Sequence, residues 1–122
     1  MTPPRYSASD TDTRPWGRWI VLDTAPGLVV KKLFVEPGKR ISLQRHKHRS
    51  ELWIAMDGMA TVLCDEDSRV LHPGEWALIP RNSIHRLSND SDRSIIVLEI
   101  QYGEELCEDD IERFEDDYGR IV

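Results

Sequence analysis

The stretch Gly38–Gly58, GKRISLQRHKHRSELWIAMDG, decides how this chain is read. A glycine turn leads into a segment in which polar and apolar residues alternate and which carries Gln44, His46 and His48. A short polar turn follows, and Glu51 opens a second alternating segment that ends at Gly58. Side chains at i, i+2 and i+4 of a strand share a face, so Gln44, His46 and His48 form one row. The row spans about 13 Å at roughly 3.3 Å per residue, too far for both ends to reach one ion. His46 belongs to either adjacent pair, so the choice lies between Gln44 with His46 and His46 with His48. Farther along, GEWALIPRNSIHRLSN (74–89) adds His85 in a similar strand–turn–strand setting. Imidazoles and a carboxylate brought together make a ligand set for a divalent ion.

Working outward, Trp16 to Gln101 divides into short alternating segments: 16–23, 28–36, 40–47, 51–57, 59–64, 68–72, 75–80, 84–88 and 94–101. Turn residues punctuate them, among them Pro37-Gly38, Asp57-Gly58, Pro73-Gly74 and Asn89-Asp90. Many short strands at this spacing predict an all-β antiparallel sandwich or barrel. After residue 107 the period changes. Ile111, Phe114 and Tyr118 stand at i, i+3 and i+7, Asp109 and Glu112 have the spacing of a capping box, and Gly119 is a stop signal. These features predict one short C-terminal α-helix.

With 122 residues the chain is large enough for one core and not for two. The first residues, MTPPRYSASDTDT (1–13), read as a flexible polar tail without the apolar core of a secretory signal, leaving 14–122 as one domain. No apolar run approaches the roughly 20 residues of a membrane helix. The two cysteines, Cys64 and Cys107, form no Cys-x-x-Cys pair, which makes a reduced, cytoplasmic setting the default. Residues 104–117 hold nine acids against one base, Arg113, within a net charge of −6. No basic stripe points to nucleic acid.

The spacing resembles the cupin pattern. Its first motif is glycine, five residues, His-x-His, three or four residues, glutamate, six residues, glycine. Gly38, Gln44-Arg45-His46, Glu51 and Gly58 fit it, with Gln44 in place of the first histidine. Its second motif is met by Gly74, Pro80, His85 and Asn89, with Asn82 where glycine is usual. Asparagine tolerates the left-handed backbone that glycine permits there. The resemblance implies a double-stranded β-helix, a jelly-roll barrel.

A narrower resemblance covers most of the chain. RPWG (14–17), ISLQ (41–44), RHKHRSELW (45–53), IPRNSIHRL (79–87) and EDDIERFEDDYGR (108–120) look like type II phosphomannose isomerases. In that family the cupin is usually joined to a mannose-1-phosphate guanylyltransferase. No glycine-rich nucleotide loop occurs here, so the expectation is a free-standing isomerase-like domain. Leu52 stands where the family usually has histidine, and Cys107 where glycine is common.

The resemblance implies interconversion of mannose 6-phosphate and fructose 6-phosphate through an enediol, with metal ligands Gln44, His46, Glu51 and His85. The other isomerase type is known for such a Gln-x-His, Glu, His set. Zinc is favoured among zinc, manganese, iron, nickel and cobalt. His48 is expected as the general base, or as the alternative ligand. Arg49 is expected to bind the substrate phosphate, with Arg86, Arg40 and Lys39 near the mouth. A homodimer is expected from resemblance to other small cupins, with the outward Leu52 and Ile54 or the N-terminal strand as contacts. A non-enzymatic cupin binding a sugar or nucleotide sugar, and an iron-dependent dioxygenase, are the competing expectations.

Overall fold

The computed structural model describes residues 5–120. Its strands are β1 (Thr11–Arg14), β2 (Gly17–Ala25), β3 (Leu28–Val35), β4 (Leu43–Arg45), β5 (Arg49–Asp57), β6 (Ala60–Cys64), β7 (Asp67–Leu71), β8 (Trp76–Ile79), β9 (His85–Ser88), β10 (Ile95–Gly103) and β11 (Glu112–Glu115). They form a six-stranded sheet in the order β1-β2-β3-β10-β5-β8 and a five-stranded sheet in the order β11-β4-β9-β6-β7. Every strand pair is antiparallel. All nine expected strands are present, with ends shifted by a few residues. No helix occurs among the described residues, and so none is long and apolar enough to cross a membrane.

Period-two alternation builds the interior. Val29, Leu33 and Val35 of β3, Trp53 and Ala55 of β5, and Ile95 and Val97 of β10 are buried. Val62 of β6 and Leu87 of β9 meet them from the other sheet in one apolar cluster. The same inward rows turn polar toward one end. Lys31 lies on the row of Val29 and Leu33, Arg49 and Glu51 on that of Trp53, and Glu99 and Gln101 on that of Val97. All five are buried. In register, Glu99 opposes both Lys31 and Trp53, while Gln101 opposes Glu51. The barrel therefore has an apolar half and a charged half, and the charged half holds the candidate site.

Two backbone features maintain this geometry. Asn82 has φ 69°, the left-handed conformation expected where asparagine replaces glycine. Gly103 lies directly opposite Arg49, and a Cβ there would come within 2.8 Å of Arg49 Cα and closer still to His48 O. Only glycine lets β10 approach the start of β5 this closely.

Two sequence expectations are corrected. The predicted C-terminal helix is instead a strand, β11, pairing Glu112 with Arg45 and Arg113 with Gln44. A helix would have stacked like charges such as Glu108, Glu112 and Glu115 three and four residues apart, which is destabilising. The extended chain distributes them: Glu112 pairs with Arg45, Glu115 with Arg86, Asp117 with Arg40 and Asp116 with Arg120. The expected tail also contains ordered structure. Residues 11–13 belong to β1, Asp10 and Ser9 hydrogen-bond to Val21, and Tyr6 is buried against Trp19. Residues 1–4 lie outside the described residues.

Candidate metal centre

His46, Glu51 and His85 come from three places in the chain. His46 follows the end of β4, Glu51 is the third residue of β5 and His85 opens β9. All three are buried, and one ligand atom from each lies within 4.8 Å of the others. Both imidazoles are oriented by backbone carbonyls. His46 Nδ1 donates to Asp110 O at 2.6 Å, and His85 Nδ1 to Ser83 O at 2.9 Å. A carbonyl can only accept, so Nδ1 carries the proton in both rings and each Nε2 presents a lone pair. An outer carbonyl of this kind fixes ring orientation and tautomer in metal-ligating histidines.

The two lone pairs face a carboxylate. His46 Nε2 is 3.4 Å from Glu51 Oε2, and His85 Nε2 is 3.7 Å from Glu51 Oε1. Glu51 Oε1 and His85 Nε2 are fully buried and have no hydrogen-bond partner. Two buried acceptors facing each other are repulsive and unsatisfied unless a cation sits between them. The residues thus fit a divalent ion on the chemistry of their own donor atoms. Burial, then the Arg49 guanidinium, lower His46 to about 3, so its ring stays neutral and able to ligate. Burial alone would raise the Glu51 carboxyl, but the Arg49 guanidinium holds it below the usual range and ionised.

Gln44 is the direct cross-strand neighbour of His85 and, with Arg49, lines a cavity beside the centre. Its Oε1 accepts from the Ser42 hydroxyl at 3.2 Å, and no hydrogen bond joins it to the three clustered residues. His48, expected on the cavity face, is not brought to the cluster. The strand ends at Arg45, the chain turns at 47–48, and the His48 side chain is 48% exposed beside Glu105 at 3.8 Å. The carboxylate of Asp110 holds this turn by accepting from the backbone N–H groups of Lys47 and His48, each at 2.9 Å.

Arg49, expected at the mouth, lies inside. Residues 49 and 51 share a face of β5, so an inward Glu51 carries Arg49 inward as well. Its guanidinium is buried: Nε donates to Glu51 Oε2 at 2.8 Å and Nη1 to Cys107 O at 3.0 Å, while Nη2 lies 3.3 Å from His46 Nε2. Arg86 and Arg40 are likewise occupied, Arg86 by Ile41 O and Glu115, Arg40 by Asp117.

Sequence reading missed Glu99, Gln101 and Lys31. Glu99 accepts from Trp53 Nε1 at 3.1 Å and from Gln101 Nε2 at 3.0 Å. Burial and the neighbouring Glu51 raise its carboxyl above the ordinary range. Lys31 Nζ lies over the rings of Tyr6 and Trp19 at 4.1 and 4.2 Å, and burial lowers its ammonium. The signal for these residues was present: each interrupts an apolar inward row of a strand.

Two antiparallel sheets enclosing a buried His–Glu–His centre define a cupin, a double-stranded β-helix barrel. A cupin 2 conserved barrel domain protein from Salinispora arenicola superposes with a TM-score of 0.61 at 27% identity, covering 70% of this chain and 74% of that one. By sequence, this chain belongs to the mannose-6-phosphate isomerase C-terminal family, which it matches over residues 5–116. It is 45% identical over 109 residues to the alginate biosynthesis protein AlgA of Pseudomonas aeruginosa, a match covering 89% of this chain and 23% of AlgA. It is 38% identical over 108 residues to a mannose-1-phosphate guanylyltransferase of Escherichia coli, covering 88% of this chain and 23% of that protein. The chain therefore spans less than a quarter of the length of these relatives.

Proposed function

We propose that this protein is a metal-dependent aldose–ketose isomerase that interconverts mannose 6-phosphate and fructose 6-phosphate through an enediol. The observation that carries the reading is the facing pair of buried, unpartnered acceptors, Glu51 Oε1 and His85 Nε2, with His46 Nε2 beside them. Family membership supplies the substrate. His46, Glu51 and His85 would hold the ion, with Gln44 next to His85 as the fourth ligand and zinc the favoured metal. A divalent ion held there would supply Lewis-acid polarisation of the substrate's oxygens.

The chain's own groups perform the proton transfer. Going from aldose to ketose, a base takes the C2 proton and returns it to C1, while the O2 hydroxyl proton passes to O1. Lys31 and Glu99 oppose each other in register, line the cavity, and have proton affinities displaced toward neutrality from opposite sides. Paired groups displaced in this way suit acid–base work. We assign the transfer to them in place of His48.

The test is metal analysis of purified protein, followed by chelation, reloading and a coupled assay for fructose 6-phosphate. About one equivalent of metal per chain is expected, with turnover lost on chelation and restored on reloading. A second reading, a sugar-phosphate-binding cupin without turnover, is favoured by one observation: Arg49 already bridges Glu51 and His46 and compensates the centre's charge. Substrate-induced melting shifts in a metal-loaded protein that makes no fructose 6-phosphate would select it.

We further propose a homodimer through the outer face of the six-stranded sheet. Leu52 and Ile54 of β5 face outward beside Leu78 and Trp76 of β8, and Trp76 is 61% exposed at the sheet edge. A contiguous apolar face on an edge strand calls for a partner. Trp76→Glu is expected to convert the dimer to a monomer by size-exclusion chromatography with light scattering. A wild-type chain already monomeric at high concentration would remove the proposal.

A further inference from the structure

We propose that Arg113, backed by Arg120 and Arg14, forms an anion subsite that seats the substrate's phosphate at the mouth of the barrel. The inference rests on the isomerase reading for its substrate and on the structure for its location. A cavity of about 70 Å³ reaches Gln44 and Arg49, the neighbours of the metal centre, and is lined by Arg14, Lys31, Arg113 and Arg120 as well, against the two acids Glu99 and Glu108. One water needs only about 10–15 Å³ by the same kind of measure, so there is room for a group of several heavy atoms.

The cations of this mouth are not equivalent. Arg49 bonds Glu51 and Cys107 O, Lys31 lies 3.6 Å from Glu108, Arg14 pairs with Asp12, and Arg120 makes a two-pronged bond to Asp116. Arg113 alone among them has no carboxylate within 4.0 Å among the described residues. Its Nε is buried and has no hydrogen-bond partner. Buried donors are almost always satisfied, so this one lacks an acceptor that the protein does not supply. Burial, and then the adjacent Arg120 guanidinium, lower the proton affinity of Arg113, which is the strain an anion would relieve. A guanidinium fork matches phosphate oxygens.

Position supports the assignment independently. Arg113, Gln44 and His85 stand side by side on β11, β4 and β9, with Arg113 opposite Gln44 and Gln44 opposite His85. Two strand spacings, about 9–10 Å, separate Arg113 from His85 along the sheet. An extended hexose phosphate has its phosphate at the end opposite C1 and C2, so carbons at the metal would place phosphorus toward Arg113. This also accounts for the lone base in the acidic run: Glu112, Glu115 and Asp117 pair with Arg45, Arg86 and Arg40, and Arg113 lines the cavity.

The experiment compares metal-loaded wild-type and Arg113→Gln chains, titrated calorimetrically with inorganic phosphate, mannose 6-phosphate and mannose. The substitution is expected to weaken both phosphate-bearing ligands at least about tenfold, with metal content unchanged. In the wild-type chain, the Arg113 Nε–H resonance should shift and become protected from solvent exchange when phosphate is added. This second measurement stands even if the variant does not fold. Wild-type affinity in Arg113→Gln, no saturable phosphate binding by the wild type, or an unmoved Arg113 resonance each overturns the subsite. If both ligands bind through Arg113 but no fructose 6-phosphate forms, the isomerase reading fails and the subsite stands. If turnover occurs and Arg113→Gln leaves KM unchanged, the subsite fails alone.

Discussion

Replacing Glu51 by glutamine is expected to strip the centre of its metal and abolish isomerase turnover. Glu51 is the only anionic member of the cluster, and both imidazole lone pairs converge on its carboxylate. An amide keeps the shape but not the charge, and its nitrogen cannot ligate. Losing an outer-shell partner of a metal ligand typically costs 10–100-fold in affinity, so losing this ligand should exceed about 100-fold. Turnover should fall about 10³-fold or more with the lost charge stabilisation. Lys31→Met provides the contrast. It leaves the three ligands in place, so metal should be retained while kcat drops about 10²–10⁴-fold. Elemental analysis beside kcat separates the two outcomes. A Glu51→Gln protein that still carries one metal per chain would sink the proposed centre.

The barrel was legible because strand alternation and turn residues are local signals. The nine segments between Trp16 and Gln101 each announced themselves through period two and a Gly, Pro, Asn or Asp boundary. His46, Glu51 and His85 were legible as a set because a spacing pattern, not local chemistry, ties 46 and 51 to the distant 85. What failed was local periodicity overruled by tertiary pairing. Ile111, Phe114 and Tyr118 keep helical spacing, yet the carboxylates around them find better partners in Arg45, Arg86 and Arg40 when the chain is extended. His48 was misplaced for a related reason: the row of Gln44, His46 and His48 assumed a strand that the Asp110 carboxylate ends by capturing the amides of Lys47 and His48. Arg49 could have been placed from Glu51 by counting two residues. Lys31, Glu99 and Gln101 could have been found as polar residues on inward apolar rows. None of these required a distance to see.

The arginine inside the centre makes the second large prediction. Arg49→Met should cost the metal-free protein about 3–5 kcal/mol, because it leaves the ionised, buried Glu51 without its hydrogen-bonded cation. For a domain of this size that is a fall in Tm of roughly 10–20 °C. Methionine approximates the volume of the arginine stem, which limits any cavity contribution. Metal should reverse much of the loss, since a divalent ion shared by Glu51 and the two histidines replaces the missing charge. The metal-induced rise in Tm should therefore be larger in Arg49→Met than in the wild type. Differential scanning calorimetry with chelator and with zinc measures both. An Arg49→Met apoprotein melting with the wild type would mean that Glu51 is not held ionised by Arg49. A large loss that zinc leaves untouched would favour Arg49 as a structural cation in a centre that works without metal. The guanidinium and the ion compete for the same carboxylate, and the difference between the two melting shifts reports which of them this barrel was built around.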